Sequence, residues 1–265
     1  MGMDIRGAAK FGNIKEMKRL LALQDIQVNQ VRRIDGGTPL IIAAYKGHSE
    51  VVKLLLDKKD IQVNQGDRCG ATPLIHAAKK GHLEVVKLLL ERDNIHVNQG
   101  DKYGYTPLSL AAMQGRSELL KLLLEKDDIQ VNQGDIWGDT PLYKAVIGGH
   151  REIIKLLQRE RNILVGKANN RGLTPLSVAE AQANVPGHPH NVLCKELFEL
   201  LLEKAKEPLN ETETCLVCMD HTPDVVLIPC GHQNMCGACA HQWGQEKMEC
   251  PSDRIPISKI IPIHD

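Results

Sequence analysis

Six of the eight cysteines in this 265-residue chain lie between residues 215 and 250, and His232 lies among them at ligand spacing. Their order is Cys-x2-Cys-x11-Cys-x-His-x3-Cys-x2-Cys-x10-Cys-x2-Asp, formed by Cys215, Cys218, Cys230, His232, Cys236, Cys239, Cys250 and Asp253. Thiolates and imidazoles at such short spacings are the ligands that Zn²⁺ prefers. Eight donors suffice for two tetrahedral sites, so the segment predicts a domain held together by two zinc ions.

The eighth position of this pattern holds Asp253, where the spacing calls for one more cysteine. A carboxylate oxygen binds zinc at about 2.0 to 2.2 Å, close to the ~2.3 Å of a thiolate. We therefore expect Asp253 to be the eighth ligand, and we expect its zinc to be held less tightly than an ion bound by four cysteines. The alternative is a site that has lost this ligand and is completed by water or by His264.

The cysteine segment is small and is set apart from the rest of the chain. Residues 215–265 are too few for a stable apolar core without a staple, and zinc is the usual staple. Residues 207–214, EPLNETET, contain a proline and polar side chains, which is typical of a linker. The tail IPISKIIPIHD, residues 255–265, alternates enough to predict a strand.

The part of the chain before this linker repeats with a period of 34 residues. The motif Thr-Pro-Leu begins at Thr38, Thr72, Thr106, Thr140 and Thr174. We expect the threonine to cap a helix, because its hydroxyl can accept a free backbone amide, and the proline to fill the first helical position. A glycine is expected to end this first helix at Gly47, Gly81, Gly115 and Gly149.

Each repeat continues with an aliphatic segment such as EVVKLLL and then with the block VNQGDxxG. The aliphatic segment predicts a second helix that is covered by neighbouring units, and the block predicts a turn-rich hairpin. One helix pair cannot bury its own apolar surface, so stability must come from the stacking of successive units.

The two ends of the array depart from the repeat. The first unit, AAKFGNIKEMKRLL, has Lys, Glu and Arg where later units have Val and Leu, so it predicts a polar amino-terminal cap. The last unit is interrupted by ANVPGHPHNVLC before KELFELLLEKAK, and we expect it to close the array irregularly. The sequence thus predicts about six repeats over residues 1–206, with atypical first and last members.

Composition and charge exclude several classes of function. The chain carries 33 basic and 33 acidic side chains, and residues 212–265 hold three Lys or Arg against seven Asp or Glu, which opposes binding to nucleic-acid phosphates. No apolar run reaches the ~18 residues that a bilayer span needs, and the start of the chain lacks the apolar stretch of a secretory signal. Clustered cysteines that bind metal suit a reducing compartment. We expect a cytoplasmic or nuclear protein that binds neither nucleic acid nor membrane.

The repeats resemble the ankyrin repeat, whose signature includes Gly-x-Thr-Pro-Leu and Gly-His. This resemblance covers residues 1–206 and implies a mainly α fold, a stack of helix pairs that binds proteins through hairpin tips and first helices. Aromatic and basic side chains at those positions are candidates for substrate binding. They are Tyr45, Lys79, Tyr103, Tyr105 and Trp137. The alternative interpretation is that the aromatic residues only support the hairpins.

The cysteine segment resembles the RING finger, a small α+β zinc domain, and is similar above all to the RING fingers of inhibitor-of-apoptosis and mind-bomb ubiquitin ligases. The resemblance implies that ligands alternate between the two sites. Cys215, Cys218, Cys236 and Cys239 would hold one zinc, and Cys230, His232, Cys250 and Asp253 the other. It also implies that Val217, Trp243 and Pro251 dock a ubiquitin-conjugating enzyme, and that Arg254 locks ubiquitin against that enzyme.

Taken together, the two resemblances imply a RING-type ubiquitin ligase that forms no covalent bond to ubiquitin. The repeats would recruit a protein substrate, and the RING finger would position the charged conjugating enzyme for transfer to a lysine. The alternative is a non-catalytic scaffold in which the zinc domain only mediates association. Similar RING fingers dimerise through their tails, but this tail lacks their usual aromatic residue, which leaves dimerisation open.

Overall fold

The computed structural model describes residues 3–183, 199, 225–228 and 259–262. The chain divides into two compact units, Met1–Ile136 and Trp137–Asp265. The predicted boundaries around the linker 207–214 lie outside the described residues and stay predictions. None of the helices described is both long and apolar enough to cross a bilayer.

The described part of the first unit consists of consecutive pairs of short helices. They are α1 Ile5–Phe11, α2 Ile14–Leu21, α3 Pro39–Lys46, α4 Ser49–Leu56, α5 Pro73–Lys80, α6 Leu83–Leu90, α7 Pro107–Met113 and α8 Ser117–Leu124. The first helices pack in one layer, α1 on α3, α3 on α5 and α5 on α7, and the second helices pack in the same order in another layer. The predicted stack of helix pairs is confirmed.

The Thr-Pro-Leu motif begins the first helices as the sequence predicts. Thr72 Oγ1 accepts a hydrogen bond from Ile75 N at 3.2 Å, and Pro73 stands where no amide donor is required. The equivalent threonine caps in the other repeats are Thr38, Thr106, Thr140 and Thr174. The threonines and the leucines after them are buried, so the motif also anchors each pair in the aliphatic core.

The predicted glycines end the first helices, with one refinement. Gly81 has φ +76° and donates its N–H to Ala77 O, and Gly47 ends α3 in the same left-handed conformation. Helices α7 and α9 end one residue earlier than predicted, and Gly115 and Gly149 follow their caps with positive φ.

An asparagine in each of the first three VNQ blocks links one repeat to the next. Asn64 Nδ2 donates to Asn94 O at 2.6 Å, and Asn64 Oδ1 accepts from His96 N at 2.9 Å. Asn29 and Asn98 form the same pair of bonds with the repeats that follow them. Because each side chain satisfies a donor and an acceptor of the following loop, it fixes the spacing of the stack. The sequence analysis did not predict this role.

The histidines of the Gly-His motif also connect neighbouring pairs. His82 begins α6 without capping it, and its Nε2 lies 3.0 Å from Tyr45 O in the preceding first helix. His48 Nε2 lies 3.2 Å from Lys10 O in the same way. These rings therefore cover the carbonyl end of the preceding helix, where backbone acceptors lack intrahelical partners.

The amino-terminal cap is less polar than the sequence predicts. Lys15, Lys18 and Arg19 are exposed, in agreement with a polar outer face. However, Phe11 is 66% exposed and Leu23 is 50% exposed, so the cap presents apolar side chains as well. Phe11 ends α1 and Leu23 follows α2, so both lie in the turns of this pair rather than in the faces that pack on the next repeat.

The described part of the second unit contains three helices and two strands. They are α9 Pro141–Ile147, α10 Arg151–Gln158, α11 Pro175–Ala183, β1 Val225–Ile228 and β2 Lys259–Pro262. Helix α9 packs against both α10 and α11. The strands pair antiparallel, with Val225 opposite Pro262 and Ile228 opposite Lys259. A strand in the tail is therefore confirmed, and its partner is a segment that the sequence analysis did not assign to a strand.

Candidate binding face and metal centre

The fingers, which are the turn segments between one helix pair and the next, are held rigid by an aspartate. In the second finger, residues 66–71, Asp67 Oδ1 accepts hydrogen bonds from Cys69 N at 2.8 Å and Ala71 N at 3.0 Å. Its second oxygen lies 2.9 Å from His76 Nε2 on α5. The finger is thus bonded both to itself and to the first helix behind it.

The third finger, residues 100–105, repeats this arrangement around Asp101. Its Oδ1 accepts from Tyr103 N at 2.9 Å and from Tyr105 N at 3.0 Å. At the tip, the Lys102 ammonium lies 4.9 Å from the centroid of the Tyr103 ring. A hydrogen bond with Tyr103, followed by an interaction with Cys69 of the second finger, raises the pKa of Lys102. This tip presents a fixed positive charge beside an aromatic ring.

Tyr45 lies at the centre of a basic cluster on α3 and α5. Its ring is 38% exposed, and the ammonium groups of Lys80 and Lys46 lie 4.6 Å and 5.6 Å from its centroid. The Tyr45 and His76 rings pack in a T-shaped arrangement, with their centroids 5.7 Å apart. A hydrogen bond with Lys80, followed by its charge and those of Lys46 and Lys79, lowers the pKa of Tyr45. The structure thus brings the predicted residues Tyr45 and Lys79 together.

The two predicted tyrosines of the third finger differ in environment. Tyr103 is 42% exposed, whereas Tyr105 is half-buried and packs on the apolar cluster of Ala71, Ile75 and Leu110. Their ring centroids lie 6.4 Å apart. Tyr103 is therefore available to a partner, and Tyr105 supports the finger from below.

Trp137, the last of the predicted aromatic residues, belongs to the second unit. Its side chain is 45% exposed, and its carbonyl oxygen accepts a hydrogen bond from Asn170 N at 2.9 Å. Tyr143, on α9, is only 4% exposed, and its hydroxyl accepts from Arg171 at 3.2 Å. Within the second unit, Trp137 is a surface residue and Tyr143 a core residue.

A groove in the first unit was not predicted from the sequence. It has a volume of about 530 Å³ and is lined by residues of α1, α3 and α5, of the first finger (residues 32–37, before α3) and of the second finger. The lining includes Arg6, Lys10, Ile42, Tyr45, Lys46 and His76. Only Tyr45 of these is in the predicted binding set. The others come from three separate repeats, so no local pattern could indicate that they share a groove.

The predicted metal and docking residues lie outside the described part of the chain. This applies to all eight zinc positions, to Val217, Trp243 and Pro251, and to Arg254. Six thiols, an imidazole and a carboxylate nevertheless form a donor set that fits zinc. Within the described residues, no group of His, Cys, Asp and Glu could hold a metal ion. Both described strands belong to the cysteine segment, since β1 lies between Cys218 and Cys230 in the sequence and β2 follows Arg254.

Models of known families match both parts of the chain. A model of ankyrin repeats in three copies matches residues 5–101 and 60–135, and a model of the single ankyrin repeat matches residues 137–169. The model of the zinc finger of C3HC4 type, the RING finger, matches residues 211–260, a range that contains all eight predicted ligands. The chain is an ankyrin-repeat protein with a RING finger. Asp253 stands where the C3HC4 pattern has its last cysteine, and a RING finger implies zinc binding.

Curated relatives of this ankyrin-RING protein match it over short segments. It is 31% identical over 72 residues to a probable E3 ubiquitin-protein ligase, LUL4, of Arabidopsis thaliana, with 26% of this chain and 20% of the relative covered. It is 30% identical over 81 residues to a putative E3 ubiquitin-protein ligase, XBAT34, of the same plant, with 31% and 21% covered. The E3 ubiquitin-protein ligase NEURL3 of Rattus norvegicus is 34% identical over 74 residues, with 24% and 29% covered.

The chain therefore spans less than a third of the length of these curated relatives. Among solved structures, it resembles an ankyrin repeat domain from Acinetobacter baumannii AYE with a TM-score of 0.66 and 24% identity. That likeness covers 76% of this chain and 96% of the other. It confirms the predicted ankyrin fold.

Proposed function

We propose that this protein is a RING-type ubiquitin ligase. The observation that carries the proposal is the RING finger at residues 211–260, together with curated relatives that are named as E3 ubiquitin ligases. Zinc binding would use six of the eight cysteines. The remaining two, Cys69 and Cys194, lie in no sequence motif that is typical of a nucleophilic cysteine. Catalysis by positioning, without a covalent intermediate on this chain, fits that composition.

Two zinc ions would make the carboxyl-terminal segment fold. Cys215, Cys218, Cys236 and Cys239 would hold one ion, and Cys230, His232, Cys250 and Asp253 the other. Zinc in such a site is structural, and it supplies the folding free energy that a segment of this size lacks. The number of ions and the Asp253 bond are part of the proposal.

The surface of the RING finger would bind a ubiquitin-conjugating enzyme. Val217, Trp243 and Pro251 are apolar residues at the positions where active RING fingers dock that enzyme. Arg254 would donate hydrogen bonds to both the enzyme and ubiquitin, because its planar guanidinium can serve two acceptors at once. The thioester would then be held in a reactive geometry, which is the catalytic contribution.

The ankyrin repeats would recruit the protein that is modified. Exposed aromatic rings beside lysines, at Tyr45 and at Tyr103, have the composition of interface hot spots. Lys79 adds charge next to Tyr45, Tyr105 holds the third finger in place, and Trp137 presents a further exposed ring. Rigid fingers favour such a role, since little conformational entropy is lost on binding.

The test is ubiquitination reconstituted from purified activating enzyme, conjugating enzymes, ubiquitin and this chain. We expect self-ubiquitination, and we expect Val217→Ala to reduce it by about tenfold or more because a docking contact is lost. Val31→Ala is the matched control, since Val31 is exposed on the ankyrin repeats and should leave the rate unchanged. A zinc chelator should abolish the reaction.

An inactive chain that still bound two zinc ions but did not bind a conjugating enzyme in a pull-down would support the scaffold instead.

Two further proposals accompany the proposed ligase activity. The protein works in the cytoplasm or nucleus, where cysteines stay reduced for zinc, and imaging of the tagged chain tests this location. Two RING fingers associate through residues 255–265, and the mass of the intact chain in solution tests that association.

A further inference from the structure

The groove on the first three repeats has the length of a short peptide segment. It extends across three first helices, α1, α3 and α5. Packed helices lie about 8 to 10 Å apart, so the groove spans about 16 to 20 Å. An extended chain rises about 3.3 Å per residue, so five or six residues would fill this span.

The carboxylates that line the groove already have partners within the protein. Among the described residues, the pairs are Asp4 with Arg6, Asp35 with Arg32, and Asp67 with His76. Asp4 also caps α1 by accepting from Gly7 N at 2.7 Å, and Asp67 accepts two amides of its own finger. These acidic groups hold helix and finger geometry. Arginines balance the charges of Asp4 and Asp35, whereas Asp67 is held by the hydrogen bonds of its finger and of His76.

The lysines of the groove have no such ion-pair partners in the part of the chain that the structure describes. The Lys10 ammonium lies 5.2 Å from the Phe11 ring centroid, and the Lys46 ammonium lies 5.6 Å from that of Tyr45. Lys80 adds a third ammonium 4.6 Å from the Tyr45 ring. All three side chains are exposed. Among the described residues that line the groove, Lys10 and Lys46 therefore outnumber Asp67, the carboxylate without an arginine partner, and Lys80 adds positive charge beside Tyr45.

Between these ammonium groups lies an apolar contact surface. Ile42 is half-exposed on α3, one turn before Tyr45, and both side chains line the groove. Gly37 borders the same part of the groove, and its missing side chain leaves Ile42 uncovered. An apolar side chain of a ligand could pack here while neighbouring carboxylates reach the lysines.

We propose that this groove binds an extended acidic peptide segment of the protein that the ligase modifies. Its Asp or Glu carboxylates pair with Lys10 and Lys46, and an apolar side chain packs on Ile42 and the Tyr45 ring. This inference rests on the proposed function, because only a ligase has a substrate protein to modify. It names the class of segment that the ankyrin repeats select, an acidic one, and places it on the first three repeats.

The experiment selects peptides from a random octapeptide display library on the full-length chain. We expect the enriched peptides to carry net negative charge with at least one apolar residue. An enriched peptide labelled with fluorescein is then titrated by anisotropy. The double variant Lys10→Glu/Lys46→Glu should weaken its binding by about tenfold or more, because two attractions become repulsions. The neutral variant Lys10→Gln/Lys46→Gln should lose less.

Lys53→Glu is the matched control, since Lys53 is exposed on α4 and does not line the groove. We expect its effect to stay within about twofold, as screened charges at a distance contribute little. Circular dichroism of each variant shows that the repeats remain folded. Enrichment of neutral or basic peptides, no enrichment at all, or an equal loss with Lys53→Glu would overturn the proposal.

Single-stranded nucleic acid is the other polyanion that such lysines could attract. An eight-nucleotide oligonucleotide that bound more tightly than the peptide, and depended on the same lysines, would overturn the inference. Peptide binding is measured without ubiquitin or conjugating enzyme. Failure of the ligase assay with intact peptide binding would therefore contradict the proposed function alone, and the reverse result would contradict the groove alone.

Discussion

Single glycines show how backbone conformation and packing act together in these repeats. Gly47 has φ +77°, and a Cβ there would lie 2.6 Å from Nδ1 of His82, the ring that links this repeat to the next. Gly172 has φ +72° with nothing within 4 Å of its Cβ position. The two glycines thus share the left-handed conformation and differ in the space around it.

We predict that Gly47→Ala lowers the free energy of unfolding more than Gly172→Ala does. The left-handed conformation alone costs an alanine about 1 to 2 kcal/mol, and at Gly47 the His82 ring must also move. Urea unfolding of the full-length variants measures the difference. In a His82→Ala background the excess should vanish, and equal costs in the wild-type background would show that packing around Gly47 is not limiting.

At Asp253 a single oxygen would complete the second zinc site. We predict that Asp253→Asn binds one zinc ion fewer per chain than the natural protein, for which we propose two, because a neutral amide is a much weaker ligand than a carboxylate. Asp253→Cys restores the regular C3HC4 pattern and should keep both ions. Elemental analysis of the purified variants gives the count, and two ions in Asp253→Asn would remove this residue from the ligand set.

At the scale of secondary-structure elements, the hydrogen bonds of asparagine side chains hold successive repeats at a fixed spacing. We predict that Asn64→Ala destabilises the protein by about 1 to 3 kcal/mol, because it removes two hydrogen bonds that each contribute about 0.5 to 1.5 kcal/mol. Asn94→Ala is the matched control, since the Asn94 side chain is exposed and only its backbone carbonyl is used. Thermal unfolding distinguishes them, and similar losses would contradict the link.

The helices were predictable because their signals are local. A threonine cap joins residues three apart, as Thr72 and Ile75 do, so it can be inferred from the order of residues alone. The bonds of Asn64 and His82 reach residues 30 and 37 positions away, and only the stacked structure shows them. The available signal for these bonds was that an asparagine and a histidine recur at the same positions of successive repeats, in the VNQ and Gly-His motifs.

The strand pairing and the groove also depend on residues that are far apart in the sequence, so they could not be predicted from local patterns. The alternating tail predicted the strand Lys259–Pro262, but its partner Val225–Ile228 precedes it by more than 30 residues, and pairing across that distance leaves no local pattern. The groove likewise joins side chains of three repeats. The aromatic and basic residues at repeat tips were foreseen, while the division between exposed Tyr103 and supporting Tyr105 was not.

At the scale of the whole molecule, we propose that the ankyrin repeats and the RING finger have separate roles. The ankyrin repeats are held by aliphatic layers and hydrogen-bonded fingers, and they carry the exposed aromatic and basic residues of a binding face. The RING finger contributes zinc ligands and Arg254 and has no catalytic nucleophile in the proposal. Ubiquitin transfer should therefore respond to Arg254 without any change in zinc content.

The most direct measurement is single-turnover discharge of ubiquitin from a charged conjugating enzyme to free lysine. We predict that the natural chain accelerates discharge and that Arg254→Ala slows it by about tenfold to a hundredfold, because the thioester is no longer held in place. Zinc content should be unchanged, and Arg33→Ala, an exposed arginine of the repeats, should behave as the natural chain. Discharge that is not accelerated, or that is equally fast with Arg254→Ala, would contradict the account.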